Sequence, residues 1–182
     1  MAMASGAEHD LGAVDTFETE AIGEPGQRRF RLRLMVSGET ASLWIEKEQV
    51  QALATAIEQV LSQHRRKNES SGPPLDELRD FPRHPTHDFR VSRLALAYDD
   101  GADALAIYVT DAESDAQDQA TLRASFSRQQ ARHFSRQAQD TVAGGRPLCP
   151  LCKEPLDPDG HLCPPANGHS DDAMAWLGPP DL

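Results

Sequence analysis

The amino-acid sequence predicts an α+β fold, with two strand-strand-strand-helix halves built on antiparallel sheets and a small C-terminal zinc knuckle. Three observations support this fold class. Short segments alternate apolar and polar residues, as half-buried strands do. Each half then ends in a segment whose apolar residues recur at helical spacing. All three cysteines of the 182-residue chain lie in its last quarter, where prolines and glycines are also frequent.

The first half begins with a weak strand candidate at residues 14–22. The next strand is clearer, because arginines at 29, 31 and 33 alternate with large apolar residues at 30, 32, 34 and 36. A glycine-containing turn at 37–39 joins it to a third segment at 41–45, which is typical of a β-hairpin. From residue 46 to residue 64 the apolar residues take helical spacing, and glutamates in the first turn suit the helix dipole. This segment is predicted to be a helix.

The second half repeats this order of elements. Alternation returns in three segments, at 94–98, 105–109 and 122–126. Ser127 and Gln130 have the spacing of a capping box, so a helix is expected to begin there. The two glycines after Ala143 can end it. A shift of 81 residues aligns the last strand and helix of the two halves, although almost no residues are identical. Two alternatives explain this pattern: an ancient duplication, or the strand–helix alternation that is common in α+β folds.

These patterns divide the chain into six parts. The short polar N-terminus and the acidic C-terminus lack periodicity, and four prolines interrupt the region between the halves. The boundaries we predict are a disordered N-terminus at 1–12, a first half at 13–66, a linker at 67–88, a second half at 89–145, a zinc-ribbon-like segment at 146–170 and a flexible acidic tail at 171–182.

The composition excludes several classes of function. The chain carries 29 acidic and 18 basic residues, so its formal net charge is −11. This charge argues against broad nucleic-acid binding, which depends on Lys and Arg neutralising phosphates. No apolar run approaches the roughly 18 residues of a membrane span. The first ten residues also lack the basic and apolar regions of a secretory signal. We therefore expect a cytoplasmic protein that does not interact with membranes.

The C-terminal segment carries the clearest chemical motif. Cys149 and Cys152 are separated by two residues, a spacing that lets two thiolates bind one tetrahedral ion. His161 and Cys163 can complete a four-ligand site across the loop, and His169 is the reserve fourth ligand. Such a closed site is structural rather than catalytic, so we expect one structural Zn²⁺ per chain. A redox Cys pair and inert thiols are the alternatives, although the neighbouring prolines disfavour the helix of a thioredoxin-type motif.

A row of arginines is the second candidate site. Arg29, Arg31 and Arg33 alternate along one strand and so share a face, where their guanidinium groups can bind an anion or a protein partner. The alternative is a solvated strand face, where charge deters aggregation. Histidines outside the zinc segment are interpreted as polar loop or helix-surface residues. The chain also lacks the motifs of phosphate-binding loops and serine hydrolases, so no catalytic residue is assigned.

Three blocks of sequence resemble a known family. They are GEPGQRRFRLRL at 23–34, IEKEQV at 45–50 and CPLC…GHLCPPANGH at 149–169. Their order and spacing are similar to those of an actinobacterial family of small proteins that share a domain of unknown function. The family's terminal block resembles CPLCG-x-P-x-DPEGH-x-CPR-x-NG, which implies that Cys149, Cys152, His161 and Cys163 are the shared ligands. This chain departs from that pattern at three positions, namely Lys153, Pro165 and His169.

The function predicted from these features is that of a non-enzymatic protein-interaction or adaptor module. Its expected partners are other cytoplasmic proteins, which would bind the arginine row and the zinc knuckle. One alternative is a small-molecule enzyme, in which His133 and arginines meet in a cleft between the two halves. The other is a zinc ribbon that binds nucleic acid, although the zinc segment is acidic.

Overall fold

The computed structural model describes residues 6–65, 75, 80–115, 119–144 and 149–152. The chain divides into two compact units, residues 1–143 and 144–182. The described residues contain seven strands and two helices, all in the first unit. Their bounds are β1 Ala7–Ala13, β2 Thr16–Ile22, β3 Arg29–Val36, β4 Glu39–Ile45, α1 Lys47–Gln63, β5 His87–Asp99, β6 Ala104–Asp111, β7 Ala120–Ser127 and α2 Arg128–Ala143.

The fold is α+β, as predicted, but the strands form one mixed sheet and not antiparallel sheets. The strand order is β1-β7-β6-β5-β4-β3-β2. Neighbouring strands are antiparallel except at β4–β5 and β1–β7, which are parallel. These two parallel pairs join the first half of the chain to the second. The prediction of antiparallel sheets was wrong because hairpin patterns report only pairing between neighbours in sequence.

The two end strands of the sheet are brought together by the chain itself. β1 and β2 lie at opposite ends of the strand order, yet only Val14 and Asp15 separate them in sequence. The Val14 amide donates to the Ser125 carbonyl of β7 at 2.9 Å, and the Asp15 amide donates to the Met35 carbonyl of β3 at 2.8 Å. β1 and β2 therefore act as two parts of one bent strand that closes the sheet into a barrel.

Ala7–Ala13 form β1, although residues 1–12 were predicted to be a disordered N-terminus. This strand has few apolar residues, and its side chains are mostly exposed, so it lacks the alternation that marks the other strands. The Asp10 carboxylate accepts a hydrogen bond from Arg123 of β7 at 2.9 Å. Partial burial raises the pKa of Asp10, but hydrogen bonds from Gly12 and Arg123 and the arginine's charge outweigh it and leave this pKa below its usual value.

β5 plays the part in the second half that β1 and β2 play in the first. It begins at His87, within the region predicted as a linker, and runs for 13 residues. Residues 87–90 pair with β4, and residues 91–99 pair with β6. In each half, the first part of the opening strand thus pairs with a strand of the other half, and the second part pairs with a strand of the same half.

The two halves also repeat in how their helices begin and meet. α1 begins with a reciprocal capping box between Glu46 and Gln49. The predicted box at α2 is confirmed, because the Ser127 amide donates to Gln130 Oε1 at 2.8 Å and the Gln130 amide donates to Ser127 Oγ at 3.2 Å. The helices then meet through residues 81 positions apart: Ser135 Oγ donates to the Ala54 carbonyl at 3.3 Å. Contact between equivalent residues is typical of two halves related by a twofold axis.

The core lies between the inner face of the sheet and the two helices. Phe17 of β2 stacks on Phe126 of β7 and on Phe134 of α2, with both pairs of ring centroids 4.2 Å apart. All three rings are at most 2% exposed. Stacked aromatic pairs stabilise a core beyond the effect of their buried area. No helix among the described residues has the length and apolar character needed to span a membrane.

Candidate functional site

Two of the three predicted arginines are held in ion pairs with the neighbouring strand. Arg31 Nη2 lies 2.8 Å from Glu20 Oε2, and Arg33 Nη2 lies 2.7 Å from Glu18 Oε2. The side chains of Arg33 and Glu18 are only 13% and 3% exposed. These pairs follow from the register of β2 and β3, which places Glu18 opposite Arg33 and Glu20 opposite Arg31.

Arg33→Ala is expected to lower the free energy of unfolding by about 3 kcal/mol, because it leaves the buried Glu18 carboxylate without its guanidinium. Urea denaturation followed by circular dichroism measures this loss. The matched control is the double variant Glu18→Leu with Arg33→Met, which removes both charges and should be much closer to the wild type. A single variant as stable as the wild type would contradict the buried ion pair.

Arg29 has a different environment from the other two arginines. It is exposed, and its guanidinium carbon lies 4.1 Å from the centroid of the Trp44 ring. The indole N–H of Trp44 donates to Asp88 Oδ1 at 2.8 Å, which fixes the orientation of the ring. Trp44 and Arg29 line a pocket of about 240 Å³ beside the start of α1, hereafter the Trp44 pocket. Its lining residues are Arg28, Arg29, Phe30, Trp44, Ile45, Glu46, Lys47 and Arg90.

The Trp44 pocket is strongly basic. It is lined by three arginines and one lysine, against a single carboxylate from Glu46. The Glu46 side chain is engaged in the capping box of α1. Within the described part of the chain, no carboxylate lies at ion-pair distance from the four basic side chains. Arg28 donates instead to the Thr141 carbonyl at 3.2 Å. The pocket therefore offers positive charge that the described protein groups do not neutralise.

The positive charge at the start of α2 is buried, unlike that at the start of α1. Arg128, which corresponds to Lys47 after the shift of 81 residues, is 7% exposed and donates to the Tyr98 hydroxyl at 3.1 Å. Tyr98 in turn hydrogen-bonds to Asp103, and this bond raises the pKa of the tyrosine. The His64 ring stacks on Tyr98 with centroids 3.9 Å apart. The two helix starts are thus alike in capping and different in charge.

The structure separates the histidines considered in the sequence. His64 belongs to the Tyr98 cluster, and His84 is exposed. His87 Nε2 lies 2.8 Å from Glu39 Oε1, and its ring centroid is 4.6 Å from that of His9. His133 lines a separate cavity with Glu18, whose carboxylate pairs with Arg33. None of these histidines lines the Trp44 pocket.

Trp44, Lys47 and Arg90 are among the residues of the Trp44 pocket that the sequence analysis did not identify. The register of the hairpin offered a signal for Trp44, because β3 and β4 place it opposite Arg31. Lys47 follows β4 directly, at the first position of α1. Arg90 lines the pocket because β5 pairs with β4 in a register that places Arg90 opposite Trp44. That parallel pairing is not visible in the sequence.

The described residues include half of the predicted zinc ligands. Cys149 is buried and Cys152 is partly buried, and a turn covers residues 150–152. Two thiols separated by two residues on a turn fit the donor set of a zinc knuckle. His161, Cys163 and the reserve ligand His169 lie outside the described residues. Among the residues that the structure describes, no group of three potential ligands could hold a metal ion.

Comparison with known proteins places the chain in a family. A family model described as "Protein of unknown function (DUF3090)" matches residues 9–163, which extend from β1 to the last cysteine. Searches of curated proteins and of solved structures find no match. The resemblance to a domain of unknown function, inferred from the three sequence blocks, is confirmed at that level. The chain therefore belongs to the DUF3090 family of proteins of unknown function.

Proposed function

We propose that the protein is a non-enzymatic binding module that docks an acidic segment of a cytoplasmic protein partner in the Trp44 pocket. The observation that carries this proposal is the position of Arg29, which is exposed above the Trp44 ring among three other basic residues. Guanidinium groups bind carboxylates and phosphates through paired hydrogen bonds. A guanidinium over an indole ring is also attracted electrostatically by the face of the ring.

The size and charge of the pocket favour a side-chain group over a complete metabolite. Its volume of about 240 Å³ is below the roughly 300–1,000 Å³ of most small-molecule sites. A carboxylate or phosphorylated side chain of a partner fits such a volume. Complementary charge between a basic pocket and an acidic peptide increases specificity and the association rate. The net charge of −11 over the whole chain disfavours nucleic acid as the partner.

A structural zinc ion in the C-terminal segment completes the proposal. Cys149, Cys152, His161 and Cys163 would hold it, and all four lie within the residues matched by the family. A closed four-ligand zinc site contributes folding free energy to a segment with little apolar core. The resemblance of the sequence to an actinobacterial family supports the same ligand set and an actinobacterial origin.

The docking proposal can be tested by the fluorescence of Trp44 in a Trp176→Phe background, which leaves one tryptophan in the chain. A short polyglutamate peptide should change this fluorescence with saturation, and Arg29→Ala should weaken binding about tenfold or more. Arg136→Ala is the matched control, because Arg136 is an exposed arginine that does not line the pocket. Equal binding by the Arg29→Ala variant, or preferential binding of single-stranded DNA at the same salt concentration, would contradict the proposal.

One observation favours the alternative of a small-molecule enzyme. His133 of the second half and Glu18 of the first line one cavity, and Arg33 pairs with Glu18 at its side. A histidine and an arginine-paired carboxylate are thus close to the arrangement that the sequence suggested for this alternative. No reaction follows from these groups alone.

A further inference from the structure

The cations of the Trp44 pocket come from three different parts of the fold. Arg29 is the first residue of β3, Lys47 is the first residue of α1, and Arg90 lies on β5. β4 lies between β3 and β5 in the sheet, and its Trp44 is opposite Arg90 in the parallel pair. Basic side chains therefore border the pocket from both neighbouring strands and from the helix.

This arrangement gives the pocket more positive charge than one carboxylate can balance. Among the residues that the structure describes, Glu46 is the only carboxylate in the lining, against four basic side chains. Glu46 also caps α1, where its side chain accepts a hydrogen bond from the Gln49 amide. Arg31 shows the contrast, because it lies on the same strand as Arg29 but is paired with Glu20 at 2.8 Å. A ligand with a single negative charge would leave most of the charge in the pocket unbalanced.

The several directions from which these cations come suit a tetrahedral anion better than a planar one. A carboxylate has two oxygens in one plane, and a single arginine can satisfy both through paired hydrogen bonds. A phosphate monoester carries a charge of about −1.5 to −2 at pH 7 and three acceptor oxygens, so it can bind donors on several sides. Lys47 also lies in the first turn of a 17-residue helix, where the helix dipole favours anions, phosphate groups among them.

We infer that the Trp44 pocket selects a phosphorylated side chain of the partner over a glutamate. This inference rests on the proposed function, because it names the acidic group that docks. Arg29 binds two phosphate oxygens, as it would bind a carboxylate, and Arg90 and Lys47 bind the oxygen that a carboxylate lacks. The pocket volume of about 240 Å³ accommodates the phosphate group on the short side chain of a serine or threonine.

The test compares three synthetic peptides that differ only at one central residue, which is phosphoserine, glutamate or serine. Each is titrated into the full-length Trp176→Phe protein, and binding is followed by the fluorescence of Trp44. The phosphoserine peptide should bind about tenfold or more tightly than the glutamate peptide, and the serine peptide should not saturate. Inorganic phosphate is the fourth probe and should bind more weakly than the phosphoserine peptide, because it lacks the contacts of a peptide segment.

Two variants test the cations that distinguish the two anions. Arg90→Gln and Lys47→Gln should each weaken binding of the phosphoserine peptide about tenfold, but weaken binding of the glutamate peptide less than about twofold. Both side chains are exposed, so the variants should fold as the wild type does. Arg136→Gln is the matched control, because it removes an exposed arginine that does not line the pocket.

The possible results separate this inference from the docking proposal. Equal affinity for the phosphoserine and glutamate peptides, with both weakened by Arg29→Ala, would overturn the inference and leave the docking proposal standing. No binding of either peptide would overturn both. The inference is also wrong if Arg90→Gln and Lys47→Gln weaken the two peptides equally, or if inorganic phosphate binds as tightly as the phosphoserine peptide.

Discussion

The Cys149→Ser variant is expected to contain no zinc, whereas the wild-type chain should carry one ion. A serine hydroxyl is a poor substitute for a thiolate, and three remaining ligands would leave the site open. Zinc binding contributes about 10–16 kcal/mol to the folding of small zinc domains, so the C-terminal segment should lose its structure with the metal. Native mass spectrometry of protein purified without added metal measures the zinc content directly.

Three further variants make this experiment more specific. Lys153→Gly restores the residue of the family pattern next to Cys152 and should keep the zinc. His161→Ala and His169→Ala distinguish the predicted fourth ligand from the reserve one, because only the variant that lacks the actual ligand should lose its zinc. Full zinc content in the Cys149→Ser variant would contradict the predicted site. A wild-type chain that lacks metal and has an oxidised Cys pair would favour the redox alternative.

Phe134→Ala is expected to lower the free energy of unfolding by about 3–5 kcal/mol. The ring is fully buried and stacks on Phe17, so its removal leaves a cavity where β2, β7 and α2 meet. Such a loss is a large part of the roughly 5–15 kcal/mol by which domains are stable. Urea denaturation followed by circular dichroism measures it.

Phe134→Leu is the matched control, because leucine fills much of the same space and should cost distinctly less. A Phe134→Ala variant within about 1 kcal/mol of the wild type would show that the aromatic stack is not central to the core.

The parts of the fold that the sequence predicted are those determined by neighbouring residues. Helical spacing and the capping box of Ser127 and Gln130 identified both helices, and the alternation around Arg31 identified the central hairpin. β1 was missed because its partner β7 lies more than 100 residues away and because its own residues are mostly polar. The parallel pairs and the closure of the sheet depend on contacts of the same long range.

The candidate site, too, was predicted only where it depends on neighbouring residues in the sequence. Arg29 was predicted from its strand, whereas its separation from Arg31 and Arg33 depends on the register of β2 and β3. That register pairs the other two arginines with glutamates and leaves Arg29 beside Trp44. Arg90 reaches the pocket only through the parallel pairing of β4 with β5. Local sequence patterns do not contain that information.

The closure of the barrel at Val14 and Asp15 has a consequence for the synthesis of this protein. β1 is made first but pairs with β7, which leaves the ribosome near the end of the barrel sequence. Until then, β1 lacks its partner strand, and the nascent chain carries an unpaired edge that invites aggregation. A topology with such distant pairing also folds slowly. We therefore expect the barrel to fold late and as a whole, after β7 has been translated.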